Sequence, residues 1–398
     1  MTIENPWLLP QGIEEILPER ALELESLRRQ LLDLYHSWGY DLVMPPFIEF
    51  LESLLGDLGK DLDLKTFKLT DQLSGRLMGL RADMTPQVAR IDAHVLNREE
   101  PTRLCYMGTV LHTRASEFAA SRSPLQVGCE LYGHSGAQSD VEVLRLMVAT
   151  LRTAGVKDFT VDLGHVGIFR GLAKAAGLSQ RDEAELFDRL QRKSIPEIEQ
   201  WLSGRGLSEE QHRHLAALAH LNGGLSVLSQ ARSQLAGAPQ DVLEAIDTVA
   251  DIAERLQALD SEVPLHIDLA ELRGYHYKTG AVFAAYLPGS GREVARGGRY
   301  DGIGEAFGRA RPATGFSTDL KALVGVSCAA PERSQNAILA PAPSETQGDR
   351  ALEAKVAELR EAGERVIYQL EGDETDPLDL GCDRQLSHRD GQWALVSL

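Results

Sequence analysis

The sequence holds few cysteines, no long apolar run and no excess of basic residues, and each shortage closes off a class of function. Its four cysteines, Cys105, Cys129, Cys328 and Cys382, lie far apart and form no CxxC pair. They read as free thiols of a reducing compartment and not as a disulfide framework or a zinc site. No stretch approaches the roughly 18 consecutive apolar residues that a membrane-spanning helix needs. The N-terminal MTIENPWLLPQ has no basic segment ahead of an apolar core, so the pattern predicts no secretory signal and a cytoplasmic protein. His212, His214 and His220 have no supporting Cys, Asp or Glu cluster, and the sequence predicts neither a metal nor a cofactor.

Positive charge is also in short supply. Lys and Arg number 41 against 59 Asp and Glu, a net charge of -18. A nucleic-acid footprint needs basic side chains gathered against phosphates, and no Lys/Arg-rich run provides one. A surface this acidic repels a polyanion, so no tRNA partner is expected. What is present is ordinary for a globular chain: 43% hydrophobic and 25% charged residues over 398 positions, enough for two or three domains with a large core.

Periodicity then organises the chain, with no internal repeat or low-complexity tract. Leu24, Leu27, Leu31, Leu34 and Trp38 recur at three and four residues, predicting a first helix that starts near Pro18 and ends at Gly39. KTFKLTD and RLMGLRAD read as strands around a Gln72–Gly75 turn, and a helix is predicted from Thr85 to about Leu96 with Pro86 at its start. Two strands flank an irregular polar loop between Arg103 and Gly133. A helix over Asp140–Ala154, the strand FTVDLGHV and a short helix in GIFRGLAKAAG follow. Residues 179–259 have helical period throughout with no convincing strand, and so predict a helical insertion. LHIDLAEL, YHYKTGAVFAAYL and REVARGG resume the strands, and Asp319–Val326 closes the core as a helix. Beyond it, NAILAPA, DRALEAKVAELREAG and RVIYQLEG form one strand–helix–strand crossover, and the rest is polar until the strand-like WALVSL.

Seven segments carry a resemblance to a known family. LLPQGIEEILPE opens it, and GYDLVMPPFIE is similar to motif 1 of a class II aminoacyl-tRNA synthetase. RLCYMGTVLHTRASEFAASRSPLQVGCELYG resembles motif 2, and PATGFSTDLKAL sits where motif 3 belongs. LRADMTPQVAR, LRGYHYKTG and ARGGRYDG resemble the segments that line the amino-acid pocket of histidyl-tRNA synthetase. Over roughly residues 5–325 the chain resembles that enzyme, and more closely its non-synthetase paralogues, the regulatory subunits of ATP phosphoribosyltransferase. The fold implied is α+β: a class II synthetase-like antiparallel sheet core flanked by helices over 1–330, with the helical insertion at 179–259. A small C-terminal α/β unit over 335–398 is reduced relative to an anticodon-binding domain.

The resemblance breaks where phosphate would be held. Adenylate formation needs fixed cations where charge develops on the phosphates. The motif 2 arginine corresponds to His112, the motif 3 arginine to Ala322 and the adenine-stacking aromatic to Pro124. A neutral imidazole replaces a permanently charged guanidinium poorly. Arg114 and Arg122 remain nearby, as contacts for another anion or as arginines that stabilise the loop. No catalytic residue is therefore assigned.

The amino-acid pocket is retained. Free histidine presents an ammonium, a carboxylate and a ring that both donates and accepts hydrogen bonds. The resemblance places Asp83, Thr85 and Gln126 at the ammonium, Arg273 at the carboxylate, Glu130 at the imidazole, and Tyr275 and Tyr277 in the aromatic run. In a regular strand Tyr275 and Tyr277 would share a face with Arg273, with His276 pointing away. Taken alone, Asp83 reads equally as a helix cap and Glu130 as an ion-paired strand residue. Gly297, Gly298 and Gly302 read as close-packing positions.

The resemblance implies a non-catalytic regulatory subunit that binds a short catalytic ATP phosphoribosyltransferase, is needed for its activity and brings feedback inhibition by histidine. A homodimer core within a hetero-octamer is the family expectation. Two rivals remain: a ligase with a divergent ATP site, and a histidine sensor for some other enzyme.

Overall fold

The computed structural model describes residues 7–55, 60–115, 121–272, 274–275, 277–289, 291–327, 337–342, 350–389 and 391–398. It divides into two compact units: one runs through Leu24–Ala329, and the other joins Leu17–Glu23 to Ala330–Leu398.

Helix α1 (Pro18–Ser37) buries Leu24, Leu27, Leu31 and Tyr35, the apolar stripe that its spacing predicts. Gly39, at φ 81°, turns the chain out of it, since a side chain there would be strained. Then come β1 (Asp41–Leu42), β2 (Ile48–Phe50), α2 (Leu51–Leu55), α3 (Lys60–Lys65), β3 (Phe67–Thr70) and β4 (Leu77–Leu80). Strands β2, β4 and β3 form a small antiparallel sheet. Helix α4 (Thr85–Arg90) has Pro86 in its first turn and runs on into a π-helical turn, Ile91–Leu96, which stops at left-handed Asn97.

The motif 2 strands are β5 (Thr102–Thr109) and β6 (Leu125–Tyr132), paired antiparallel with Tyr106 opposite Gly128. They are followed by α5 (Ala137–Thr153), β7 (Thr160–His165) and α6 (Val166–Ala175). The insertion is helical as expected: α7 (Gln180–Gln191), α8 (Ile195–Ser203), α9 (Glu209–Ala217), α10 (Ser226–Gln234) and α11 (Gln240–Leu259). Ser208 and Gln211 close a reciprocal capping box on α9. One correction concerns the two-residue strand β8 (Asn222–Gly223), which pairs with β9 (Leu265–Asp268) and is too short to leave a sequence period.

A second correction falls on YHYKTGAVFAAYL. The strand β10 begins only at Ala281 (Ala281–Tyr286), and Gly274, Tyr275 and Tyr277 lie in a turn. Gly274 adopts φ 76° and its carbonyl accepts from the Lys278 N–H at 2.8 Å, which closes the backbone on itself and ends any alternation. The core finishes with β11 (Glu293–Arg299), β12 (Ala313–Asp319) and α12 (Leu320–Val326), capped by the Asp319 carboxylate.

Among the described residues the main sheet has nine strands in the order β1-β5-β6-β12-β11-β10-β7-β9-β8. Pairing is antiparallel except at β1–β5 and β7–β9. Alternation along each strand separates its two faces. Val127, Cys129 and Leu131 of β6 join the large core built with α1, α5, α6 and α11. The opposite face carries Leu104, Tyr106 and Tyr132 into a smaller core with Met84, Val88 and Tyr300. The functional residues stand on that second face.

The C-terminal unit contains β13 (Ala337–Ala340), α13 (Arg350–Glu361), β14 (Arg365–Tyr368), β15 (Cys382–Arg389) and β16 (Gln392–Ser397). Strands β13 and β14 are parallel across α13, as the crossover predicts. Strand β15 adds a strand to the tail that reads as polar before WALVSL: it pairs with both β13 and β16, so partners and not its own apolar pattern hold it. Cys105, Cys129 and Cys382 are buried free thiols; Cys328 lies outside the described residues. Among the described residues, no helix is long and apolar enough to cross a membrane.

Candidate functional site

Glu130 is the fixed point of the site. Strand β6 presents Gln126, Gly128 and Glu130 on one face because they are two residues apart. Glu130 is 1% exposed; the Tyr106 hydroxyl donates to its Oε1 at 2.9 Å and the Tyr300 hydroxyl donates to Oε2. Burial raises its pKa to about 8; the Tyr300 and Tyr106 hydroxyls work against that shift, and the Asp83 charge adds to it. The carboxyl therefore lies within reach of either protonation state near neutral pH.

Glycines make the room. A Cβ on Gly315, opposite Glu130 on β12, would stand 1.5 Å from Glu130 Oε2. A Cβ on Gly128 would stand 2.5 Å from the Tyr106 hydroxyl. Gly298, at φ 143°, leaves the Lys278 ammonium 2.7 Å from where its Cβ would be. The close packing read for Gly298 holds on the polar face and that read for Gly297 against Phe283 of the large core, while Gly302 is corrected, with nothing within 4 Å of where its Cβ would be.

Asp83 and Thr85 come from the start of α4 and face β6. Asp83 Oδ1 accepts from Gln126 Nε2 at 2.8 Å and from the Thr85 N–H at 2.9 Å, while Gln126 Oε1 accepts from the Met84 N–H at 2.9 Å. The cap reading of Asp83 is corrected: the N-cap of α4 is Met84, with no side-chain cap bond, and Asp83 Oδ1 holds a local i→i+2 bond one residue before it, while Oδ2 has no bond among the described residues. The Thr85 hydroxyl lies 3.1 Å from the Tyr106 hydroxyl, which links this group to Glu130. Tyr277, 47% exposed, comes from the turn before β10; the Arg296, Asp83 and Glu130 charges all act on its hydroxyl.

Tyr275 is corrected. It points away from this group, into the insertion: its ring packs on Phe169 and Phe187 at 5.5 Å, and its hydroxyl donates to Glu183 of α7. The turn at Gly274 replaces the strand alternation that would have put Tyr275 beside Tyr277. Arg273 and His276 lie outside the described residues.

Phosphate-binding capacity is poor where the family would need it. His112 Nε2 lies 2.9 Å from the Ala82 carbonyl oxygen, and burial lowers its pKa, leaving a neutral ring. Arg122 donates to the His112 and Gln11 carbonyls at 3.0 and 3.1 Å and lies over Phe67, so it serves the loop. Arg114 is exposed. Elsewhere Asp162, Asp268 and Glu271 bring carboxylate oxygens within 4.8 Å of one another, a group that sequence spacing did not reveal. Lys193 Nζ stands 2.6 Å from Asp268 and neutralises part of its charge.

Sequence reasoning missed Tyr106, Tyr300, Lys278 and Arg296. Tyr106 was legible in principle, as the strand residue opposite Gly128. The others depend on which way a turn or a strand end points.

Comparison with known proteins fits this geometry. Residues 12–323 match the histidyl-tRNA synthetase family model, and residues 335–396 match the model for the ATP phosphoribosyltransferase subunit HisZ C-terminal domain. An ATP phosphoribosyltransferase regulatory subunit of Thioalkalivibrio sulfidiphilus is 61% identical over 100% of both chains. The chain belongs to the ATP phosphoribosyltransferase regulatory subunit family. Its relative of the same description in Pseudomonas aeruginosa is 53% identical, again over 100% of both chains. A crystal structure described as an ATP phosphoribosyltransferase regulatory subunit/histidyl-tRNA synthetase from Bacillus halodurans aligns with a TM-score of 0.82 at 28% identity, covering 94% of this chain and 96% of that one. Histidyl-tRNA synthetase from Nostoc sp. PCC 7120, at 20% identity and a TM-score of 0.79, shares the fold. The α+β, class II synthetase-like expectation is met.

Proposed function

We propose that this chain is the non-catalytic regulatory subunit of ATP phosphoribosyltransferase, that it activates a short catalytic subunit, and that the Asp83–Glu130 site binds histidine as the feedback inhibitor. One contrast carries the reading: at the amino-acid end hydrogen bonds hold Asp83, Gln126 and Glu130 in place, while the phosphate end offers a neutral His112, Pro124 and Ala322. Such a site holds an amino acid but lacks the fixed cations that adenylate chemistry requires. Feedback then requires histidine to favour one state of the complex over another.

Assembly as a homodimer within a hetero-octamer is part of this proposal. Leu42, Met44, Phe47 and Ile48 of the motif 1 segment are exposed in the single chain, and burial against a second copy would remove them from water.

The test adds the purified chain to a short catalytic subunit and follows phosphoribosyl-ATP formation with and without histidine. Activation that histidine reverses is the expected result. Histidine-dependent pyrophosphate–ATP exchange by the chain alone would instead establish a working ligase.

A further inference from the structure

The turn that carries Gly274, Tyr275 and Tyr277 faces two ways. Its backbone is closed on itself: the Gly274 carbonyl accepts from the Tyr277 N–H at 3.0 Å and from the Lys278 N–H at 2.8 Å, and the Leu272 carbonyl accepts from the Tyr275 N–H at 2.9 Å. On one side the Tyr277 ring folds back over Gly274, whose Cβ would stand 2.9 Å from it, and its hydroxyl feels the Asp83 and Glu130 charges of the amino-acid site. On the other side Tyr275 reaches the helical insertion, with its hydroxyl on Glu183 and its ring on Phe187, both of α7. The two rings cannot move independently without breaking the bonds between them, so the turn carries a displacement from one side to the other.

Two further contacts fasten the turn and its approach. Arg170 of α6 donates through Nη2 to the Tyr275 and Lys278 carbonyls at 2.9 and 3.2 Å, and its guanidinium lies over the Tyr275 ring, 4.8 Å from the centroid. Lys193, two residues beyond α7, pairs with Asp268 at 2.6 Å, and Asp268 ends β9, the strand that leads to the turn. Helix α7 is thus tied to the stretch 268–275 at both ends, by Glu183 in its first turn and by Lys193 past its last.

We infer that Tyr275 is a positioning residue through which the amino-acid site and the helical insertion are coupled: a ligand that settles Tyr277 also tightens α7 on the turn, and α7 in return holds the site in its binding form. The inference rests on the histidine reading above and names the element that responds to the ligand. Coupling of this kind is reciprocal, so loosening α7 weakens the ligand by the factor with which the ligand steadies α7. Occupied and empty subunits then differ at the insertion, and a difference between states is what feedback requires.

The test combines amide exchange of the full chain, with and without saturating histidine, and calorimetry of histidine binding. The variants are Tyr275→Phe, Glu183→Ala and, as a control, Arg192→Ala, whose side chain pairs with Asp188 and Glu197 on the surface of the insertion. In the wild type histidine is expected to slow exchange in 180–191 about threefold more than in 209–217, and Tyr275→Phe should abolish that excess. Tyr275→Phe and Glu183→Ala should each lower histidine affinity about three- to tenfold, and together no further than either alone, because both remove one bond. Arg192→Ala should leave the affinity within about twofold. The inference is overturned if exchange in 180–191 shows no excess response to histidine, or if affinity is unchanged in both turn variants. An equal fall in Arg192→Ala also overturns it, since general loosening of the insertion would then be the cause. In each of these cases the histidine reading stands; a wild type that binds no histidine removes that reading and the inference with it. Should a variant fail to fold, the exchange of the wild type alone decides.

Discussion

The side-chain amide of Gln126 donates to Asp83 Oδ1 at 2.8 Å, so the carboxylate that the proposed histidine site would offer is aimed by a residue from a different element. Asp83 carries the charge, and Gln126 directs it. Asp83→Asn is expected to weaken histidine binding by about 1.5–3 kcal/mol, and Gln126→Ala by about 0.5–1.5 kcal/mol, as befits a charged and a neutral hydrogen-bonding group. Calorimetry on both variants checks the order; a larger loss from Gln126→Ala would reverse their roles.

Glu130→Ala and Arg273→Ala are each expected to weaken histidine inhibition by about 1.5–3 kcal/mol of binding while sparing assembly with the catalytic subunit. Size-exclusion chromatography of the mixed subunits checks assembly, and titration of the complex with histidine checks the inhibition constant. Unchanged histidine affinity in both variants would remove the ligand from this pocket.

Glu130 also predicts a pH dependence. Its folded pKa of about 8 is raised above the ordinary carboxyl value of 4.5, so the folded state holds the proton more tightly than the unfolded chain does. The stability this brings is full below the unfolded value and is lost as pH rises through about 8. Lys278 has the opposite sign: its pKa is lowered to about 7, so its contribution is present at high pH and is lost as pH falls through about 7. Glu130→Gln should therefore match the wild type in thermal stability near pH 5 and exceed it increasingly toward pH 8.5. A melting-temperature difference that stays flat across that range would refute the assignment.

Gly315→Ala tests the room that the glycine makes. Its Cβ would meet Glu130 Oε2 at 1.5 Å and the Cys129 carbonyl at 2.8 Å, so the buried carboxyl and the backbone of β6 both stand in its way. Overpacking of this kind costs about 1–3 kcal/mol, and histidine binding should be lost along with it. Denaturant unfolding and calorimetry give the two readouts.

Tyr275→Phe removes the hydroxyl bonded to Glu183 and leaves the ring packed on Phe169 and Phe187. A loss of about 0.5–1.5 kcal/mol is expected. Faster amide exchange should be concentrated in 180–191, while the strands 102–109 and 125–132 stay protected. Uniform acceleration across both regions would mean that the bond supports the whole unit and not the attachment of the insertion.

Periodicity alone determined a good deal here. The stripe Leu24–Leu31, the alternating strands around the motif 2 loop and the helical insertion depend on side-chain spacing, which the sequence carries directly. The grouping of Asp83, Gln126 and Glu130 came from the family resemblance and not from periodicity; alternation on β6 agrees with it only in putting Gln126 and Glu130 on one face. Tertiary structure decided the rest. Tyr275 faces the insertion because Gly274 turns the backbone, and no period predicts a direction through a turn. Strand β15 exists because β13 and β16 lend it hydrogen bonds. The neutral ring of His112, the raised proton affinity of Glu130 and the lowered one of Lys278 arise from burial among residues distant in the chain, a property that no local stretch of sequence contains.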